Sequence, residues 1–181
     1  MLSYLAAALP ASTSAAARLL ALQCALRMNA KMEARLSKGV LRSLRLNATP
    51  GPWHELDHAR WLRPLPESTA NETVVALLDA TLLSQAPARP DRMRAADWAL
   101  RASTARAIGP EPRLAYLYLA AHTDSEAGSG LCELGQMARA CGISPAALSG
   151  TLGQLASTGL LKSWQVCPDS EDLHWILHPS S

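Results

Sequence analysis

The sequence predicts a mostly α chain with small β-hairpins, arranged as two units joined by a helical linker. Three observations predict it. Nearly half the residues are apolar, Ala and Leu dominate, and aromatic side chains are scarce with no Phe at all, a composition suited to packed helices rather than an aromatic-rich sandwich. A length of 181 residues suffices for one large core or two small ones. Two Pro-containing breaks, APARPDRM and IGPEPR, bracket the helical stretch DRMRAADWALRASTARA and separate the amino-terminal part of the chain from the carboxy-terminal part. The expected division is 1–86, a linker over 87–111, and 112–181.

In the carboxy-terminal unit, RLAYLYLAAHT from Arg113 spaces Leu, Tyr and Ala for an amphipathic helix, which the Gly-rich DSEAGSG stops. Gly130 to Glu133 makes a short strand. Leu134, Met137 and Cys141 then carry a second helical period, closed by Gly142 in the left-handed position with Ile143 folding back. Ser144 and Pro145 supply an N-cap hydroxyl and a first-turn proline, and Leu148, Leu152 and Leu155 share a face until Gly159. Finally LLKSWQVC and LHWILH read as strands joined by the turn PDSED.

This order of helix, strand, helix, turn, helix and hairpin resembles the winged helix-turn-helix family of bacterial regulators over residues 112–178. The resemblance implies that the third helix enters the major groove and the wing touches phosphate or minor groove. Yet Ser144 to Thr158 holds no charged residue and the wing tip carries Asp169, Glu171 and Asp172. Poorly equipped with cations for phosphate, this unit is expected to pack, dimerise or bind a protein partner.

A shift of 97 residues lays VLRSLRL, Val40 to Leu46, over MARACGI, Met137 to Ile143. With a two-residue gap, Trp53, Leu56, Trp61 and Leu62 fall on Leu152, Leu155, Leu160 and Leu161. The reading is a degenerate second copy over residues 16–78, hence a tandem winged helix-turn-helix. Its helices are expected at Ala16 to Asn29, Lys38 to Arg45 and Pro52 to Leu62, with a wing from Arg63 to Leu78 whose strand is TVVALL.

Charge separates the two copies. Residues 1–110 hold fourteen Lys or Arg against eight Asp or Glu, and residues 111–181 hold three against seven. The excess concentrates at Arg18, Arg27, Lys31, Arg35, Lys38, Arg42 and Arg45, opposed by Glu33 alone, a footprint suited to phosphate. Expected DNA contacts are Arg35, Lys38, Arg42 and Arg45 to phosphate, with His54, His58 and Arg60 nearest the bases. Arg92, Arg94, Arg101 and Arg106 on the linker extend this surface or are simply solvated.

His54-Glu55-Leu56-Asp57-His58 also satisfies the HExxH pattern, in which two His one turn apart bind zinc and Glu serves as general base. Against it, Asp57 replaces an uncharged residue, no HxxGxxH continuation is present, and nothing positions Glu67 or Glu72 as a third ligand. With Trp53, Leu56 and Trp61 inward, His54, Asp57 and His58 form an exposed polar face. His174 and His178 border the second wing, and Tyr116, Tyr118, Trp98, Trp164 and Trp175 are expected in core or interface. No phosphate-binding loop or GxSxG setting occurs, and no enzyme, catalytic residue, cofactor or metal is indicated. Cys24, Cys132, Cys141 and Cys167 lack CxxC spacing and are expected as reduced thiols.

No apolar run reaches a membrane span, and the start MLSYLAAALPASTSAAA lacks a positive n-region. The expectation is a cytoplasmic protein, with a signal peptide as the alternative reading of that start. The expected function is sequence-specific binding of double-stranded DNA by a transcriptional regulator, with a homodimer or protein partner formed through the second unit and no membrane partner. An interaction scaffold without specific DNA recognition is the competing reading, and a zinc hydrolase the third.

Overall fold

A computed structural model describes residues 1–46, 49–104 and 108–178. The protein is mostly helical with two small antiparallel sheets, and it divides into two compact units, residues 1–105 and 106–181.

Unit 1 runs α1 (Leu2–Ala8), α2 (Ala15–Arg27), β1 (Glu33–Ser37), α3 (Lys38–Leu44), α4 (Gly51–His58), β2 (Leu62–Pro64), β3 (Glu72–Leu77), α5 (Thr81–Gln85) and α6 (Arg89–Thr104). The apolar opening stretch is α1, which buries Leu5 and is held by a 2.6 Å hydrogen bond from the Tyr4 hydroxyl to Asp79. Nearly all of α2 is buried, because other elements cover it on several sides; Ser14 caps its start by accepting from the Ala17 N–H. The helix expected as a linker is α6, and it packs against α2 and α3 inside unit 1. Gln23 donates to the Ala96 carbonyl, Arg27 pairs with Asp97, and Ala96 and Ala99 are buried. Burial of that Ala face ties the helix to the core.

Unit 2 runs α7 (Pro110–Ala121), β4 (Ser129–Glu133), α8 (Leu134–Cys141), α9 (Pro145–Ser157), β5 (Leu161–Val166) and β6 (Asp172–Leu177). The break expected at IGPEPR is in part a helix start: Pro110 and Pro112 sit in the first turn of α7, where backbone N–H groups have no intrahelical acceptor and proline costs nothing. The core gathers Leu114, Leu117, Tyr118, Met137, Leu148, Leu152, Leu155 and Trp175.

The two units repeat one plan. The sheets are ordered β1-β3-β2 and β4-β6-β5, and Glu33↔Ala76 in one sheet has the counterpart Ser129↔Ile176 in the other. Caps coincide at the offsets read from the sequence. The Leu46 N–H donates to the Leu41 carbonyl, as the Ile143 N–H does to Ala138; Trp61 donates to Leu56, as Leu160 does to Leu155. Left-handed backbone falls at Met32, Arg45 and Arg60 in unit 1 and at the matching Gly128, Gly142 and Gly159 in unit 2, which adds Glu171 at its hairpin tip. The third helix of unit 1 is shorter than the expected Pro52 to Leu62, since left-handed Arg60 ends it and Leu62 already pairs with Leu77 in the sheet. All four cysteines are free thiols, with Cys24 and Cys141 buried. No helix among the described residues is long and apolar enough to cross a membrane.

Candidate nucleic-acid interface

The basic run from Arg18 to Arg45 does not form one continuous surface. Arg18 lies in the interior, 1% exposed, where its Nε donates to the Thr13 carbonyl and its Nη groups to the Leu5 and Pro10 carbonyls. Those carbonyls belong to the end of α1 and the bend after it, so this cation closes a helix terminus. Arg27 is spent on Asp97 at 2.8 Å. Arg35, expected at phosphate, stands exposed on β1 with Nη1 3.1 Å from Glu72 across the β1–β3 ladder. That pair is solvent-exposed and weak, but it offsets the charge. The linker cations fare similarly. Arg92 is buried, donating to the Pro87 and Met28 carbonyls; Arg94 pairs with Asp91; Arg106 lies outside the described residues.

What remains is a smaller set, positioned by helix ends. Lys38 is the first residue of α3, whose start is capped by the Ser37 hydroxyl and fixed to the β2–β3 turn by the Lys38 N–H donating to the Asn71 carbonyl at 2.8 Å. Arg42 and Arg45 end the same helix, both exposed. On α4, Leu56 and Pro52 face the core and Trp53 is half-buried, which turns His54, Asp57 and His58 to solvent on one face. Arg60 comes next, exposed, on the left-handed residue that closes the helix. Among the described residues, the side chains of Lys38, Arg42, Arg45, His54, Asp57, His58 and Arg60 make no hydrogen bond or ion pair. Sequence reasoning missed Arg63, exposed on β2 opposite Ala76 where the β2–β3 hairpin begins. Its place just after the third helix was the available signal.

Glu55, the would-be base of HExxH, is held elsewhere. Its carboxylate accepts from the Ser14 N–H and the Ser14 hydroxyl, both at 2.8 Å, capping α2 from α4. Glu72 is paired with Arg35, and no group of three or more His, Cys, Asp or Glu suited to a metal ion occurs among the described residues.

The corresponding surface of unit 2 is nearly neutral. The exposed residues of α9 are Pro145, Ala146, Ala147, Ser149, Gly150, Gly153, Gln154 and Ser157. Arg139 and Lys162 stand exposed where unit 1 has Arg42 and Arg63, while Asp169 and Glu171 are exposed at the hairpin tip. On the outer face of this sheet, Leu131 and Ile176 are large apolar residues left in solvent, 56% and 39% exposed. Compared with protein-family models, curated proteins and solved structures, the chain has no match.

Proposed function

We propose that the chain is a tandem winged helix-turn-helix protein that binds double-stranded DNA through unit 1 and acts as a cytoplasmic transcriptional regulator. The observation that carries this reading is the set of exposed, unengaged cations at Lys38, Arg42 and Arg45 on and at the end of α3 and at Arg60 and Arg63 just after α4, whose outward face is itself exposed. An exposed helix face with cations on the helix before it in the chain and on the hairpin after it suits a major groove with its bordering phosphates. Arg35 contributes less, since Glu72 competes for it. Unit 2, short of such cations, serves as the surface for a second copy or a protein partner.

The test is binding to the protein's own upstream DNA and to unrelated duplex over a salt series, read by fluorescence anisotropy. About five phosphate contacts give a slope of log K against log salt near −4.5, and replacing Arg42 and Arg45 together by Glu abolishes binding. Binding that survives that double reversal would remove unit 1 from the interface.

A second reading, an interaction scaffold without specific DNA recognition, is favoured by the neutral outward face of α9 and by exposed Leu131 and Ile176. Association that persists through either DNA outcome, and is lost on Leu131→Arg, would support it.

A further inference from the structure

Asp57 is out of place on a surface made for a polyanion. It projects from α4 on the same face as His54 and His58, one turn before Arg60, and its carboxylate engages none of their side chains. It lies in the last turn of the helix, where the macrodipole disfavours a carboxylate. Its position therefore costs helix stability and repels phosphate. The equivalent position in unit 2, at the offset that superposes Leu56 on Leu155, is Ala156; the plan itself does not demand an acid there.

We propose that Asp57 is a specificity-determining residue that restricts the α4 surface to duplex sites presenting a base amino group, cytosine N4, in the major groove. This rests on the DNA-binding reading above. An ionised carboxylate only accepts hydrogen bonds, and the amino donors on the major-groove edge are cytosine N4 and adenine N6. Against guanine or thymine Asp57 leaves a desolvated charge with no donor to face, so it penalises wrong sites as well as favouring the right one. Cytosine is the geometrically preferred partner of a carboxylate, whereas adenine, with a donor beside the N7 acceptor, suits an amide.

Selection from a randomised duplex library with the full-length wild type, Asp57→Asn and Asp57→Ala tests this, followed by anisotropy on the selected site and its single-pair variants. The wild type is expected to enrich cytosine at one position and to lose about tenfold in affinity when that pair is changed. Asp57→Ala should lose that preference while binding random duplex several-fold more tightly. Asp57→Asn should move the preference to adenine. Melting temperatures equal to or above the wild type's would show that both variants fold. Identical base preferences and discrimination ratios in all three proteins would overturn the proposal, and so would a wild type that enriches adenine there. A wild type that binds no duplex would sink the parent reading and this inference with it, a result distinguishable from wild-type binding that Asp57 does not influence.

Discussion

Arg45 and Arg60 hold left-handed backbone where unit 2 uses Gly142 and Gly159. A side chain in this conformation is strained by roughly 1–2 kcal/mol, and glycine recovers most of that at some cost in unfolded-chain entropy. Arg45→Gly and Arg60→Gly should each stabilise unit 1 by about 0.5–1 kcal/mol in urea unfolding while weakening DNA binding, a trade expected of charged side chains kept for contact. If either substitution destabilises, the strain argument is wrong. Gly130 shows the opposite constraint: a Cβ there would overlap the Trp175 indole and reach within 2.8 Å of the His122 carbonyl oxygen. Trp175 is fully buried, with its indole N–H donating to Thr123 at 2.8 Å, so it has little room to give way. Gly130→Ala should cost about 2–3 kcal/mol, measurable as a lowered urea midpoint.

At the scale of elements, α1 is fastened to the loop after β3 by Tyr4 and Asp79, and this bond makes stability depend on pH in two windows. The Tyr4 hydrogen bond, then that of Thr81, holds the Asp79 carboxyl below its usual range. The stabilisation is present above the unfolded carboxyl pKa and fades as pH falls through the lowered folded value. Burial first, and then the bond to Asp79, pushes the Tyr4 hydroxyl up to about 12; stability is present below the unfolded tyrosine pKa, near 10, and fades as pH rises toward 12. Tyr4→Phe should remove about 1 kcal/mol at neutral pH and flatten both edges of the stability profile; an unchanged profile would show that the bond contributes nothing. Element ends also decide how much of the fold the sequence makes legible. Unit 2 was legible because Gly142, Gly159 and the Ser144-Pro145 pair mark its helix ends. In unit 1 the equivalent turns carry Met32, Arg45 and Arg60, residues that do not announce left-handed backbone, and α1, β1 and α5 escaped notice. The basic run misled for a tertiary reason: nothing local shows that Arg18 turns inward to close α1, or that Glu72, thirty-seven positions on, neutralises Arg35. The exposed trio His54, Asp57 and His58 was legible because Leu56 and Pro52 fix the helix phase.

Two units with one plan and opposite charge provide a control within a single molecule. Arg42 and Arg139 sit at matching places before the left-handed caps of α3 and α8, each accepting through its carbonyl the N–H of the left-handed residue. Arg63 and Lys162 match at the second residues of β2 and β5. Backbone geometry at Arg42 and Arg139 is alike, whereas Lys162 lies in the β-bulge between Leu161 and Ser163 and Arg63 pairs regularly with Ala76; the charges differ as well, with Lys38, Arg45 and Arg60 in the unit of Arg42 and Arg63, and Asp169 and Glu171 in that of Arg139 and Lys162. Phosphate contacts gain from neighbouring cations, because the field of a cluster adds over the distance of a Debye length. Reversing Arg42 and Arg63 together should weaken duplex binding at least ~100-fold at low salt and reduce the salt slope by about 2. Reversing Arg139 and Lys162 should change affinity less than about threefold, the residual effect of added negative charge at a distance. Anisotropy titrations of the two double variants decide between a single reading unit and a pair of them. Equal losses would mean that both units lie on DNA, with the acidic hairpin of unit 2 turned away from phosphate.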